Sequence, residues 1–409
     1  MTTARTATPS TARAINDRLA LDLLLERGPL TASDLRTLTG LSRPTVADLL
    51  ERLQRSGLVA HTGESAALRR GPNARLYGLV ADRAHLAGID IRATGVSMVV
   101  ADLTGRTLGT ATIAAAPGTG TPGGGTEAGA ADGDLLVERT VETLLATAAE
   151  VGARELHTVA VGAPGLVDPA TGTLNNSGKL PEWHAKLLAA LRSRPGTEVI
   201  LENEVNLAGI AEHRIGAARG RRDFALIWLG HGVGASVVLD GRLRRGASGG
   251  TGEIGFLPVP GTLGLPGATK CDAGFHSTVS SAAVCELAAR HGLTPGPGLD
   301  GEDGGEAAEA VVRQAVETGA DGFLDELALR IAIGASAICV VLDPGCVVLG
   351  GEIGQAGGPE LADRVEQHLA RLSPLATEVR AGTAGGGAVL AGAVLTAGDA
   401  ARRELFGGD

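Results

Sequence analysis

Aromatic side chains are almost missing from this chain: five Phe, two Trp and one Tyr make up 2% of 409 residues. Its cores must be filled by Ala, Val, Leu and Ile. Single-strand recognition by base stacking, which needs aromatic platforms, is disfavoured. Cysteine is also sparse. Cys271, Cys285, Cys339 and Cys346 show no paired spacing, and the last three lie in apolar runs as small core residues. Long apolar runs are lacking too: the longest, 331–342, is too short to span a bilayer and ends at Asp343-Pro344. The opening MTTARTATPSTARA has no signal-peptide core, so a cytoplasmic protein with no membrane partner is expected. What is present is aliphatic material, 44% hydrophobic residues, enough for two or three domains at this length. The net charge of −10 is unevenly spread: residues 1–80 carry eleven Arg against seven Asp and Glu, or +4, leaving −14 elsewhere. A basic head on an acidic body fits a DNA-contacting module joined to a domain that stays clear of DNA.

The clearest local pattern is LSRPTVADLLERLQRSG, residues 41–57. Ser42 stands where an N-cap belongs, and Pro44 is tolerated in a first turn whose N–H groups have no helical partner. Val46, Leu49, Leu50 and Leu53 recur at helical spacing, and Gly57 supplies the stop. Ser42, Arg43 and Thr45 put polar atoms at the end that would enter a major groove, where Arg suits guanine and Thr a thymine methyl or phosphate. The same stripe alone would suit any small helical bundle, so the flanks decide. Ile15, Leu19 and Leu23 mark a preceding helix ending near Arg27. Thr31 to Asp34 has the form of a capping box opening a short second helix. Residues 58–80 read as two strands around a basic tip, Arg69-Arg70-Gly71-Pro72, which suits a wing on a minor groove or phosphates. The order is that of a winged helix-turn-helix. Its candidate DNA contacts are Thr31, Ser42, Arg43, Pro44, Thr45, Arg52, Arg69, Arg70 and Arg75.

From residue 86 onward, β-like and helical segments alternate, the pattern of an α/β architecture with buried sheets. Two stretches rich in small and polar residues, 116–133 and 292–306, are expected as surface loops, and a helix is expected from about 134 to 152.

Four ordered blocks, VAVGAPGLVDPATG, LENEVNLAGIAEHRIGAARG, LGHGVGASVVLDGRLRRGASGGTGEIG and VVLDPGCVVLGGEIG, resemble the ROK family of repressors and sugar kinases. A winged helix ahead of them is similar to that family's sugar-responsive regulators. The resemblance implies a multidomain fold: a winged-helix head (1–80) and an actin-like, ribonuclease H-like two-lobed α/β body (81–409). Lobe 1 is expected over about 86–199 with a C-terminal helix at about 385–403, and lobe 2 over about 200–384.

The family's kinases carry a phosphate loop Asp-x-Gly-Gly-Thr. Here it is Asp90-Ile91-Arg92-Ala93-Thr94, and the two added side chains impede close approach of a nucleotide. Their Gly-Thr-Gly is Gly230-His231-Gly232; of the nucleotide side only Gly350-Gly351 persists. The kinase base, the Asp of an Asn-Asp pair, is replaced in Asn203-Glu204. A misplacement of about 1 Å can cost on the order of a hundredfold, so Glu204 is expected to accept a sugar hydrogen bond and the chain not to be an enzyme. The family's zinc site loses its His to Phe256 and keeps one Cys, Cys271, with His276 near the place of another. Neither zinc nor ATP is expected as a cofactor.

On the sugar side, Asn203, Glu204, Glu253 and the Pro164-Gly165 backbone match the family's contacts. Phe256 and Thr278 replace its His and second Glu, and Lys179 stands where Asn is frequent. Plain glucose should therefore bind poorly, and Lys179 suggests an anionic ligand such as a sugar phosphate. The expected protein represses carbohydrate uptake or metabolism genes. It binds an inverted repeat in double-stranded DNA as a homodimer or homotetramer and answers to a sugar or sugar-phosphate effector. An ATP-dependent sugar kinase with a fused DNA-binding head is the alternative; a ligand-free dimerisation scaffold is a third.

Overall fold

The computed structural model describes residues 9–65, 74–92, 95–115, 127–174, 182–262, 264–267, 271–295 and 305–407. The head consists of α1 (Pro9–Arg27), β1 (Leu30–Thr31), α2 (Ala32–Thr39), α3 (Arg43–Arg55), β2 (Val59–Ser65) and β3 (Ala74–Leu79), with an antiparallel sheet ordered β1-β3-β2. Thr31 and Asp34 close the capping box in both directions, and Gly40 at φ 71° turns the chain from α2 towards α3. Val46, Leu49, Leu50 and Leu53 are all buried, as their spacing requires. On α1 the expected residues pack only in part: Leu23 is half-buried against the core, but Ile15 and Leu19 are 60% and 41% exposed, whereas Ala20, Leu21 and Leu24 are buried. The helix packs on α2, α3 and β3 of the head, and these neighbours select the face it buries.

The first lobe is built on a sheet ordered β6-β5-β4-β7-β8. Its strands are β4 (His85–Arg92), β5 (Gly95–Asp102), β6 (Thr107–Ala114), β7 (Thr158–Ala163) and β8 (Glu198–Asn203). Strands β4 to β6 pair antiparallel, while β4, β7 and β8 run parallel. Pairing with β7 continues to Asn203, so this lobe extends past the expected limit near 199. One face is covered by α4 (Glu127–Glu150) and α5 (Glu182–Arg192), which enclose Ile89, Ile91, Met98, Leu144 and Leu187. Helix α4 starts at Glu127, inside the stretch expected as loop; 116–126 lie outside the described residues.

Helix α6 (Glu204–Arg214) leads into the second lobe. Its sheet, ordered β11-β10-β9-β12-β13, comprises β9 (Phe224–Leu229), β10 (Val233–Leu239), β11 (Arg242–Arg244), β12 (Cys346–Gly350) and β13 (Glu378–Ala381). Helices α7 (His276–Val279), α8 (Ser281–Arg290), α9 (Gly305–Thr318), α10 (Asp321–Leu342) and α11 (Gly351–Leu372) build its apolar core with Phe275 and Phe323. The last helix, α12 (Ala388–Leu405), returns to the free face of the first sheet and lies along α6. They come so close that a Cβ on Gly392 would stand 2.0 Å from the Leu207 carbonyl oxygen. Among the described residues, no helix is long and apolar enough to cross a membrane.

Candidate functional site

Two sites are positioned by this fold, one on the head and one between the lobes. On the head, the Ser42 hydroxyl caps α3, accepting from the Thr45 backbone N at 3.4 Å and lying 2.8 Å from the Thr45 hydroxyl. Arg43 and Pro44 follow in the first turn, both exposed, and Arg75 is exposed at the start of β3. Two other candidates are engaged inside the head. Thr31 is buried and its hydroxyl serves the capping box. Arg52 donates from Nη2 to Asp17 Oδ1 at 2.6 Å and from Nε to Asp17 Oδ2 at 3.3 Å, and it also pairs with Asp48. Its guanidinium thus joins α3 to α1 instead of projecting to a groove. Arg69 and Arg70 lie outside the described residues.

The cleft site is organised at the N-terminus of α6. Asn203 caps that helix: its Oδ1 accepts from the backbone N of Val205 at 2.9 Å and of Asn206 at 3.2 Å. Its Nδ2 donates to the Gly165 carbonyl at 3.1 Å and to Glu204 Oε2 at 3.3 Å, which ties the Pro164-Gly165 turn to the helix. Beneath it, buried Glu202 accepts from Asn206 Nδ2 at 2.9 Å and from Arg245 Nε at 2.7 Å. Arg245 begins the loop that carries Glu253, so that part-buried bond connects the two lobes. The loop also runs tightly against the first lobe, where a Cβ on Gly249 would stand 2.0 Å from the Val167 carbonyl oxygen.

Glu204 is part-buried, and burial pushes its carboxyl up to about 7, with the Asp90 and Glu253 carboxylates adding to the rise and Arg92 opposing it. Asp90, Arg92, Glu204 and Glu253 are therefore brought together. Thr278 is part-buried, and its hydroxyl donates to the Phe275 carbonyl at 2.8 Å, spending locally the group the sequence offered to a ligand. Phe256 is half-buried in the turn after Glu253, and Lys179 lies outside the described residues.

A contact the sequence did not reveal crosses the cleft. Arg92 Nε donates to Asp90 Oδ2 at 2.8 Å, and its Nη1 donates to Glu352 Oε1 at 2.9 Å. Asp90 ends up buried, which raises its carboxyl pKa against the pull of Arg92. Glu352 stands in the first turn of α11, directly after the Gly350-Gly351 pair, and covers Gly230 so closely that a Cβ there would be 2.3 Å from Glu352 Oε2. Residue 92 alone signalled an obstruction; its partner 260 positions away carried no local mark. At the phosphate-loop end two carboxylates and a guanidinium already satisfy one another. Cys271 and His276 both flank Gly255, but Phe256 brings no donor atom, and among the described residues no three His, Cys, Asp or Glu side chains gather to hold a metal ion.

Residues 15–71 match the MarR family, and residues 86–399 match the ROK family. The chain is 29% identical over 226 residues to a glucokinase of Halalkalibacterium halodurans, spanning 53% of this chain and 67% of that protein. It is 32% identical over 106 residues, 26% of each chain, to the DNA-binding transcriptional dual regulator NagC of Escherichia coli. The crystal structure of a ROK family transcriptional regulator, a homologue of the Escherichia coli MLC protein, superposes with a TM-score of 0.71 at 20% identity, over 97% of this chain and 98% of that one. With more than half of its length matched by the family's pattern and a MarR-type winged helix ahead of it, the chain belongs to the ROK family.

Proposed function

We propose that this protein is a sequence-specific DNA-binding transcriptional regulator whose ROK body takes a sugar or sugar-derived effector in the cleft at Glu204. It acts as a repressor of carbohydrate uptake or metabolism genes and binds an inverted repeat as a homo-oligomer. The observation that carries this reading is the head: a capped α3 with its apolar stripe buried and Arg43 exposed at the entering end. A two-lobed body with a cleft supplies the bistable element that an effector shifts. The degenerate phosphate loop, with Arg92 committed to Asp90 and Glu352, supports regulation without phosphoryl transfer.

The test is the Arg43→Ala variant on duplexes enriched by the wild-type chain. Preference at one base pair should fall by about 1–3 kcal/mol, with random duplex bound as before. Equal loss on both would remove Arg43 from sequence reading. The kinase reading draws on Glu204, whose carboxyl near 7 suits a general base, and on the glucokinase likeness. It requires ATP binding, measurable by calorimetry, and hexose phosphorylation lost in Glu204→Gln.

A further inference from the structure

Asp17 and Arg18 are consecutive residues of α1 that grip different parts of the molecule. Asp17 receives two nitrogens of the Arg52 guanidinium, and the pair is part-buried, with side chains 20% and 25% exposed. Arg18 reaches the body. Its Nη1 donates to the Arg402 carbonyl at 3.5 Å, and its guanidinium lies 5.6 Å from the centre of the Phe406 ring. Both of those residues are buried, and Arg402 Nη1 donates in turn to the Leu103 carbonyl at 2.9 Å, anchoring the end of α12 to the first lobe. One apolar cluster takes in Val46 and Leu49 of α3, Leu21 and Leu24 of α1, and Ala397, Ala401 and Phe406 at the end of the chain. Domain boundaries usually fall where few contacts cross. This one is crossed by the Arg18 contacts and by that shared cluster.

We propose that Asp17 and Arg18 form the joint that holds the DNA-reading helix α3 at a fixed attitude to the ROK body, which makes Asp17 a positioning residue for sequence recognition. The inference rests on the DNA-binding reading above. Two donors of a planar guanidinium on one carboxylate fix orientation as well as distance, and base-edge contacts at the N-terminus of α3 need both. The same pairing commits Arg52 to Asp17 and Asp48, so Arg52 serves recognition through α1 and not by touching phosphate. Arg18, one residue along, ties that arrangement to α12, which lies against α6 and hence against the helix that begins at Glu204.

The experiment uses the full chain, a duplex enriched from a random library by the wild-type protein, and a random duplex of equal length, each titrated across a salt series. Asp17→Ala should bind the enriched duplex about tenfold more weakly and the random duplex within about twofold of wild type, with the salt slope unchanged. Asp17→Glu, which keeps the carboxylate, should recover most of the loss and guards against simple misfolding of the Ala variant. Arg52→Gln should match Asp17→Ala, and the double variant should lose no more than either single one. Unchanged affinity of Asp17→Ala for the enriched duplex overturns the proposal. So does an Arg52→Gln variant whose random-duplex binding falls with a salt slope smaller by about one, since Arg52 would then be a phosphate contact. If the wild-type chain enriches no duplex at all, the DNA-binding reading itself fails, a result distinct from either of these.

Discussion

Glu204 pays for its place in the cleft with its charge. An unfolded chain ionises this carboxyl near 4.5, whereas burial and the nearby Asp90 and Glu253 carboxylates push it to about 7 in the folded protein. Between those values the native state keeps a proton that the unfolded state has released, so this residue's contribution to stability falls as pH rises from 4.5 towards 7 and then levels off. Glu204→Gln should therefore leave stability unchanged at about pH 4 and raise it by roughly 2–3 kcal/mol at about pH 8. Urea denaturation at both pH values measures this, and parallel behaviour of variant and wild type at the two would contradict it. Near neutrality the carboxyl is divided between its two forms, so it can accept from a ligand hydroxyl or donate to one. That versatility suits a site that recognises hydroxyl groups.

Elements transmit what residues set up, and the closest element pair here is α6 against α12. Gly392 permits their contact, because any Cβ would collide with the backbone of α6 at Leu207. Gly392→Ala should cost about 1–3 kcal/mol, the range for forcing a methyl into a filled interface, even though Ala is the better helix former. A stability gain in chemical denaturation would show that the helices separate easily. Much at this scale was legible in the sequence: the α3 stripe, the Thr31–Asp34 capping box, and the alternation of strands and helices through the body. The legible features are local, resting on spacings of three or four residues or on strand period. What escaped depends on partners distant in sequence. Ile15 and Leu19 were read with Leu23 as the mark of α1, yet they are exposed, because the face it buries is set by α2, α3 and β3. The pairing of Arg52 with Asp17, 35 residues away, left no local mark beside its reading as a DNA contact. Asn203 was recognised as part of the site, but its role as the cap that joins Gly165 to α6 emerged only from the fold.

At the scale of the whole molecule, two lobes face each other across a cleft and the Arg92–Glu352 pair bridges them. The pair is part-exposed, with Arg92 at 40% and Glu352 at 27%, so its net worth is modest, about 0–1 kcal/mol. Modest energies matter little for global unfolding but much for a hinge, since about 1 kcal/mol shifts an open–closed equilibrium roughly fivefold. Glu352→Gln keeps the shape of the side chain and removes its charge, while Arg92 retains Asp90 and leaves no buried carboxylate alone. The melting temperature should therefore stay close to wild type. Amide exchange should accelerate on both sides of the cleft, at the end of β4 and the start of α11, and the radius of gyration from X-ray scattering should rise. High salt should produce the same loosening in the wild type and little further change in the variant, because screening and substitution remove the same attraction. Exchange rates and scattering indistinguishable from wild type would mean that the lobes are held by other contacts, among them the Glu202–Arg245 bond, the tight Gly249–Val167 approach and the packing around α6. The cross-cleft guanidinium would then serve only to fill the phosphate loop.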